Sequence, residues 1–262
     1  WRFPPPDRSL RSAERFPRLP AQAAYLAGIA GAGALLSGAV DRAYLAPQEL
    51  IGVSYLPVYL VLAIALAAAA AYYVLRHYRS LRGFIDAYTV AVTFIAALAV
   101  CGYSYLCPSA GFALAVSAAS AAGVAIGLRR ASTRPASYTV AGLLVGVLLA
   151  MFIPYSWTPY VLLAFAAYDA FAVTRGPLRS IPQDMDLLMV DLGDVRVGLG
   201  DVAFYTFAAS SLELFRGPAW ALAGVLAIAA GAAATLLLLR RMDRPVPGLT
   251  IPLVICALLF LI

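Results

Sequence analysis

The sequence predicts an all-α polytopic membrane protein built from nine transmembrane helices. Three observations lead there. Of 262 residues, 63% are hydrophobic and only 12% charged, too little polar surface for a soluble domain of this size. The apolar residues gather in runs of roughly 15 to 25, which suits helices crossing a hydrocarbon core about 30 Å thick. The runs are separated by short loops that alternate between arginine-rich and arginine-poor.

The elements follow in order. Residues 1–20 hold five Arg and five Pro and read as a basic, irregular cytoplasmic segment. Residues 21–262 read as one nine-helix membrane domain. The first span is Ala21–Val40, whose Gly28, Gly31, Gly33 and Gly38 let neighbouring helices approach. A polar connection, Asp41–Leu50, leads to a second span at about Ile51–Leu75, interrupted by Pro57. Arg76, His77, Arg79 and Arg82 form a basic loop. The third span is Phe84–Leu106 and the fourth Ser109–Leu128, followed by Arg129, Arg130 and Arg134. The fifth is Tyr138–Ile153, and Trp157 marks an interfacial turn. The sixth, Pro159–Val173, and the seventh, Val197–Phe215, flank the longest loop, Thr174–Arg196. The eighth is Ala219–Leu239 and the ninth Pro245–Ile262.

With nine spans, 17 of the 19 arginines fall on the side that holds the N-terminus. The positive-inside rule then puts the N-terminus in the cytoplasm of the cell membrane and the C-terminus outside. The chain has no lysine, which excludes a Ser-Lys dyad and a lysine Schiff base. The basic balance reads as topology signals, with nothing that points to nucleic acid. Cys101, Cys107 and Cys256 show no metal-ligand spacing and read as small buried hydrophobes, so neither metal nor cofactor is expected.

Two carboxylates break the apolar pattern. Asp169 lies within the sixth span and Asp201 within the seventh. An ionisable group in hydrocarbon is costly and points to a function. Asp169 precedes Arg175 by six residues and Asp201 follows Arg196 by five. At the helical rise these spacings put them about 9 Å and about 7.5 Å from one boundary. Two antiparallel helices thus bring both to a similar level. Two close carboxylates hold one proton between them. The ionised member can take a proton from water while the protonated member polarises a carbonyl. Gly198 and Gly200 keep the approach to Asp201 open. Asp86 and Glu213 lie nearer span ends, where interfacial solvation accounts for them. Asp184, Asp186, Asp191 and Asp194 read as a solvated acidic loop, and Leu187–Val190 within it as a short strand.

Tyr168-Asp169 on one helix and Gly198-Leu199-Gly200-Asp201 on the next resemble the two active-site motifs of the presenilin and signal peptide peptidase family. Pro247-Gly248-Leu249 is similar to that family's Pro-Ala-Leu motif, with Gly248 in place of Ala. The resemblance implies a presenilin-like fold of archaeal type. It implies an intramembrane aspartyl endopeptidase with Asp169 and Asp201 as the catalytic pair. Tyr168, Gly198, Leu199, Gly200, Pro247, Gly248 and Leu249 would then be motif and substrate-binding residues. The implied partners are transmembrane-helix substrates within the lipid bilayer. Prepilin-type peptidases, which also use Gly-x-Gly-Asp, are the enzyme alternative. A proton-coupled transporter or channel is the alternative without hydrolysis, although no internal repeat of the transporter kind is visible.

Overall fold

The computed structural model describes residues 19–40, 73, 78–174, 189–191, 196–241 and 246–262. Most of them are helical. In chain order the helices are α1 (Leu19–Gly38), α2 (Tyr78–Gly102), α3 (Ala110–Leu128), α4 (Arg134–Phe152), α5 (Thr158–Thr174), α6 (Leu199–Arg216), α7 (Pro218–Arg241) and α8 (Thr250–Leu261). A 3₁₀ turn, Tyr155–Trp157, precedes α5, and two short strands, β1 (Met189–Asp191) and β2 (Arg196–Gly198), precede α6. Four helices contain segments long and apolar enough to cross a membrane: Gly83–Gly102, Ala110–Leu128, Arg134–Phe152 and Pro218–Leu239. The others fall short by length, charge or hydropathy. The protein is therefore a helical membrane protein. The second span at Ile51–Leu75, nearly all of the N-terminal segment and most of the loop before Asp201 lie outside the described residues.

Local signals set several ends. Ser109 caps α3, its hydroxyl oxygen accepting the Phe112 N–H at 3.2 Å. α4 begins four residues before the expected Tyr138, because Pro135 sits in a first turn that needs no N–H from it. α6 stops at Gly217, which adopts φ 90° and donates its N–H to the Leu212 and Glu213 carbonyls. Pro218 then opens α7.

α6 is the enclosed centre of the bundle, packed against α1, α4, α7 and α8. From Val202 to Leu214 every residue except Phe204 is buried. Close approach to α4 depends on Gly146. A β-carbon there would lie 2.5 Å from the Ala203 carbonyl oxygen and 2.9 Å from the Phe207 nitrogen. Neither backbone atom can swing aside, so the missing side chain lets the helices meet.

One end of the bundle joins α1 to α2. Tyr105 N–H donates to Ala39 C=O at 3.0 Å, and Val40 forms a β-bridge with Ser104. Cys101 and Cys107 form a disulfide just beside this contact. That corrects the reading of all three cysteines as small hydrophobes. The turn after α2 folds Cys107 back onto the last turn of the helix, and only Cys256 is free and buried. The same end carries an aromatic cluster, in which Tyr155 packs on Phe215 and Phe260 and the Arg216 guanidinium stacks over Tyr155 and Trp220.

The acidic residues near span ends also differ from expectation. Glu213 is buried, only 8% exposed, because α1 covers the end of α6 and Gly38 leaves room for its side chain. Asp86 accepts a hydrogen bond from the Tyr138 hydroxyl at 3.3 Å and pairs with Arg134 at 3.9 Å. Both are thus engaged by neighbouring helices, where the sequence had pointed to solvation alone.

Candidate active site

Asp169 lies on α5, and Asp201 is the third residue of α6. The two helices touch one turn away from each carboxylate. Phe165, four residues before Asp169, packs on Phe204, three residues after Asp201, with ring centroids 4.1 Å apart. The carboxylates come within electrostatic range of each other, and the buried phenol of Tyr205 lies within range of both.

Asp201 is not embedded in a helix that starts at Val197. Arg196–Gly198 is a strand, and the helix begins at Leu199. Extended chain rises about 3.3 Å per residue, so the depth of about 7.5 Å read from helical rise does not apply to this segment. The consequence is chemical. Asp201 sits in the first turn of α6 and accepts the Gly198 N–H at 3.1 Å through Oδ2. The carboxylate faces the positive end of the helix dipole. Gly198 is the N-cap, in extended conformation.

β2 pairs antiparallel with β1, in the register Met189 opposite Gly198, Val190 opposite Val197 and Asp191 opposite Arg196. Met189 and Val190 of the expected strand Leu187–Val190 are therefore in β1, while residues 187 and 188 lie outside the described residues. The hairpin runs directly into the Asp201 turn and leans on α4.

The third element is the segment before α8. The expected ninth span begins at Pro245, yet α8 starts only at Thr250, and Val246–Leu249 is irregular. Two prolines and a glycine hinder helix here. Irregular backbone at membrane depth has to be satisfied by protein groups. Leu249 N–H donates to Asp169 Oδ2 at 2.7 Å, and the Gly248 carbonyl accepts from the Tyr205 hydroxyl at 2.9 Å. Thr250 Oγ1 donates to Ala166 C=O at 3.0 Å and stands 3.5 Å from Asp169 Oδ2. α6 thus holds the segment through Tyr205, and the segment holds the carboxylate of α5.

These bonds join Gly198 to Asp201, Leu249 to Asp169 and Gly248 to Tyr205 of α6. Leu199 is partly buried and packs against the bundle core. Gly200 is exposed, and a β-carbon there would meet nothing within 4 Å. Open space therefore lies over the residue before Asp201. Pro247 is partly buried within the segment. Tyr168 is half-buried beside Asp169 on α5.

Tyr205 and Thr250 were not singled out from sequence. Tyr205 follows Asp201 by four residues and so shares its helix face, which was a readable signal. Thr250 is a polar residue between Leu249 and Ile251, a weaker one. Among the described residues, no group of three or more His, Cys, Asp or Glu could hold a metal ion.

No protein-family model matches the chain, and no curated protein matches it either.

Proposed function

We propose that this protein is an intramembrane aspartyl endopeptidase of the presenilin and signal peptide peptidase type. It would cut peptide bonds within transmembrane segments of other proteins. The observation that carries the reading is the triple junction of Asp169, Asp201 and Pro247–Leu249. Two carboxylates from different helices stand in electrostatic range, and each accepts backbone N–H at its carboxylate, Asp201 from Gly198 and Asp169 from Leu249 and Thr250.

In this reading the pair holds one proton. The ionised carboxylate takes a proton from a water, whose oxygen bonds to the scissile carbonyl carbon. The protonated carboxylate donates to the carbonyl oxygen, and a proton then passes to the leaving amine as the C–N bond breaks. The substrate must be extended before its amide can be reached. The β1–β2 hairpin leads into the Asp201 turn, and a two-stranded sheet leaves strand edges to which an extended peptide can add.

Nine spans fit the arrangement of ends. The ends of α1 and α2 meet, as do the end of α6 and the end of α8 around Tyr155. Asp169, Asp201 and Gly248 gather where α5 ends and where α6 and α8 begin. α1 and α2 thus end on the same side, as the nine-span count requires of its first and third spans. Seventeen arginines then share the side of the two aspartates, which supports a cytoplasmic N-terminus and an external C-terminus.

The test is cleavage of a membrane-helix substrate by the purified protein in detergent. Asp169→Asn and Asp201→Asn should each abolish it, and the double variant should be no worse than either. Each removes a potential buried charge and keeps the shape, so the variants should stay folded. Wild-type activity should rise and then fall with pH, because the pair works with one proton. A protein that never cleaves, or one that keeps cleaving with either Asn, is not this enzyme.

A further inference from the structure

A crevice of about 470 Å³ lies between the end of α3 and the start of α4, with neither aspartate in its lining. Its shape comes from missing side chains. Gly123 and Gly127 line it, and a β-carbon at Gly123 would meet nothing within 4 Å. The walls carry Ile126 and Val140, which are 61% and 45% exposed, over a floor containing buried Val124.

The crevice has hydroxyls, but they already donate elsewhere. Ser120 donates to Val116 C=O, Ser137 to Thr133 C=O and Thr133 to Gly127 C=O. The interior therefore suits an apolar ligand better than a polar one. The mouth is different. Arg130 lines it and Arg129 is its neighbour, both exposed, and among the described residues neither makes an ion pair. Arg134, the third arginine nearby, is bound to Leu128 C=O by two of its nitrogens and faces Asp86. Asp86, the carboxylate that faces these arginines among the described residues, thus has its own partners, and the two arginines at the mouth are left for an external anion.

We infer that this crevice binds an anionic glycerophospholipid, with one acyl chain in the α3–α4 slot and the phosphate at Arg129 and Arg130. The faces of α3 and α4 that surround it belong to membrane-crossing helices, so lipid is what surrounds the slot. Paired arginines at the end of such a slot select for headgroup charge. The inference rests on the membrane assignment and is independent of proteolysis.

The test uses the full-length protein in detergent. The probes are phosphatidylglycerol and phosphatidylcholine carrying the same photoactivatable acyl chain, with crosslinks mapped by mass spectrometry. Phosphatidylglycerol should label residues 120–140 at roughly tenfold lower concentration than phosphatidylcholine. Arg129→Gln with Arg130→Gln should erase that preference. Gly123→Leu, whose side chain grows into open space, should reduce labelling by both lipids. All three substitutions lie at exposed positions, so thermal unfolding should match the wild type. Equal labelling by the two lipids, a preference that survives loss of both arginines, or full displacement by inorganic phosphate at matched concentration would each overturn the inference. The last outcome would mean an anion site with no need of an acyl chain.

Discussion

Asp201 takes its backbone hydrogen bond from Gly198, three residues earlier, whereas Asp169 takes its bond from Leu249, 80 residues later and on another element. The bonds are chemically alike, each an N–H to Oδ2. Their origins differ. The Asp201 turn is a helix N-terminus, which forms wherever α6 forms and brings several free N–H groups with it. The Asp169 contact exists only when Val246–Leu249 is docked, and that segment is held by Tyr205. One carboxylate is therefore positioned by local structure and the other by assembly. Activity should be more sensitive at the second.

Proline substitutions break the comparison most sharply. Leu249 has φ −81° and Gly198 has φ −71°, so a proline ring fits the backbone at both and removes the N–H, at Leu249 together with part of a buried side chain. Leu249→Pro should lower cleavage about 100-fold, the scale of misplacing a reacting group by an ångström. Gly198→Pro should cost about tenfold or less, because the rest of the α6 N-terminus still faces Asp201. Equal losses in the two variants would show that the anchors do the same work.

Tyr205→Phe comes next in size. It leaves the ring packed and strips the Gly248 carbonyl of its donor. A buried acceptor left alone costs about 1–3 kcal/mol, which a thermal melt reads directly. Cleavage should fall roughly tenfold as the segment loosens, an expectation on the scale of group misplacement. In the Leu249→Pro background the same change should add little, since both act through one contact. Full additivity would separate Tyr205 from Asp169.

The same contrast explains what was legible in the sequence. α3 was readable almost to the residue, because Ser109 caps it and Arg129 follows its end. Both aspartates were readable because charge inside an apolar run is rare. The start of α6 was misread since Val197-Gly198-Leu199 is apolar in either conformation, and a short apolar run does not distinguish strand from helix. The burial of Glu213 depends on α1, and the Cys101–Cys107 link on a turn that closes after α2. Tyr205 reads as one more core aromatic until Gly248 is seen beside it. What the sequence lost in each case is a partner brought in by tertiary packing.

The smallest predicted effect separates the two tyrosines. Tyr168 stands next to Asp169 in the sequence motif and Tyr205 does not, yet Tyr205 is the one bonded to the Pro247–Leu249 segment. Adjacent residues on a helix project about 100° apart, so being next in sequence does not make Tyr168 a hydrogen-bond partner of the carboxylate, although its phenol lies within electrostatic range of Asp169. Tyr168 is also half-buried, whereas Tyr205 is fully buried. Replacing Tyr168 by Phe keeps the ring and removes a hydroxyl, a change on the scale of about 0.5 kcal/mol for sites away from buried polar contacts. Cleavage should then change by no more than about twofold to threefold, and the melting temperature should hardly move. Measuring both tyrosine variants on one substrate makes the comparison direct. A tenfold fall in cleavage for Tyr168→Phe with an unchanged melt would reverse the ranking. It would mean that the phenol reaches the substrate or the shared proton, and that the motif pairs Tyr168 with Asp169 for its chemistry as well as for packing.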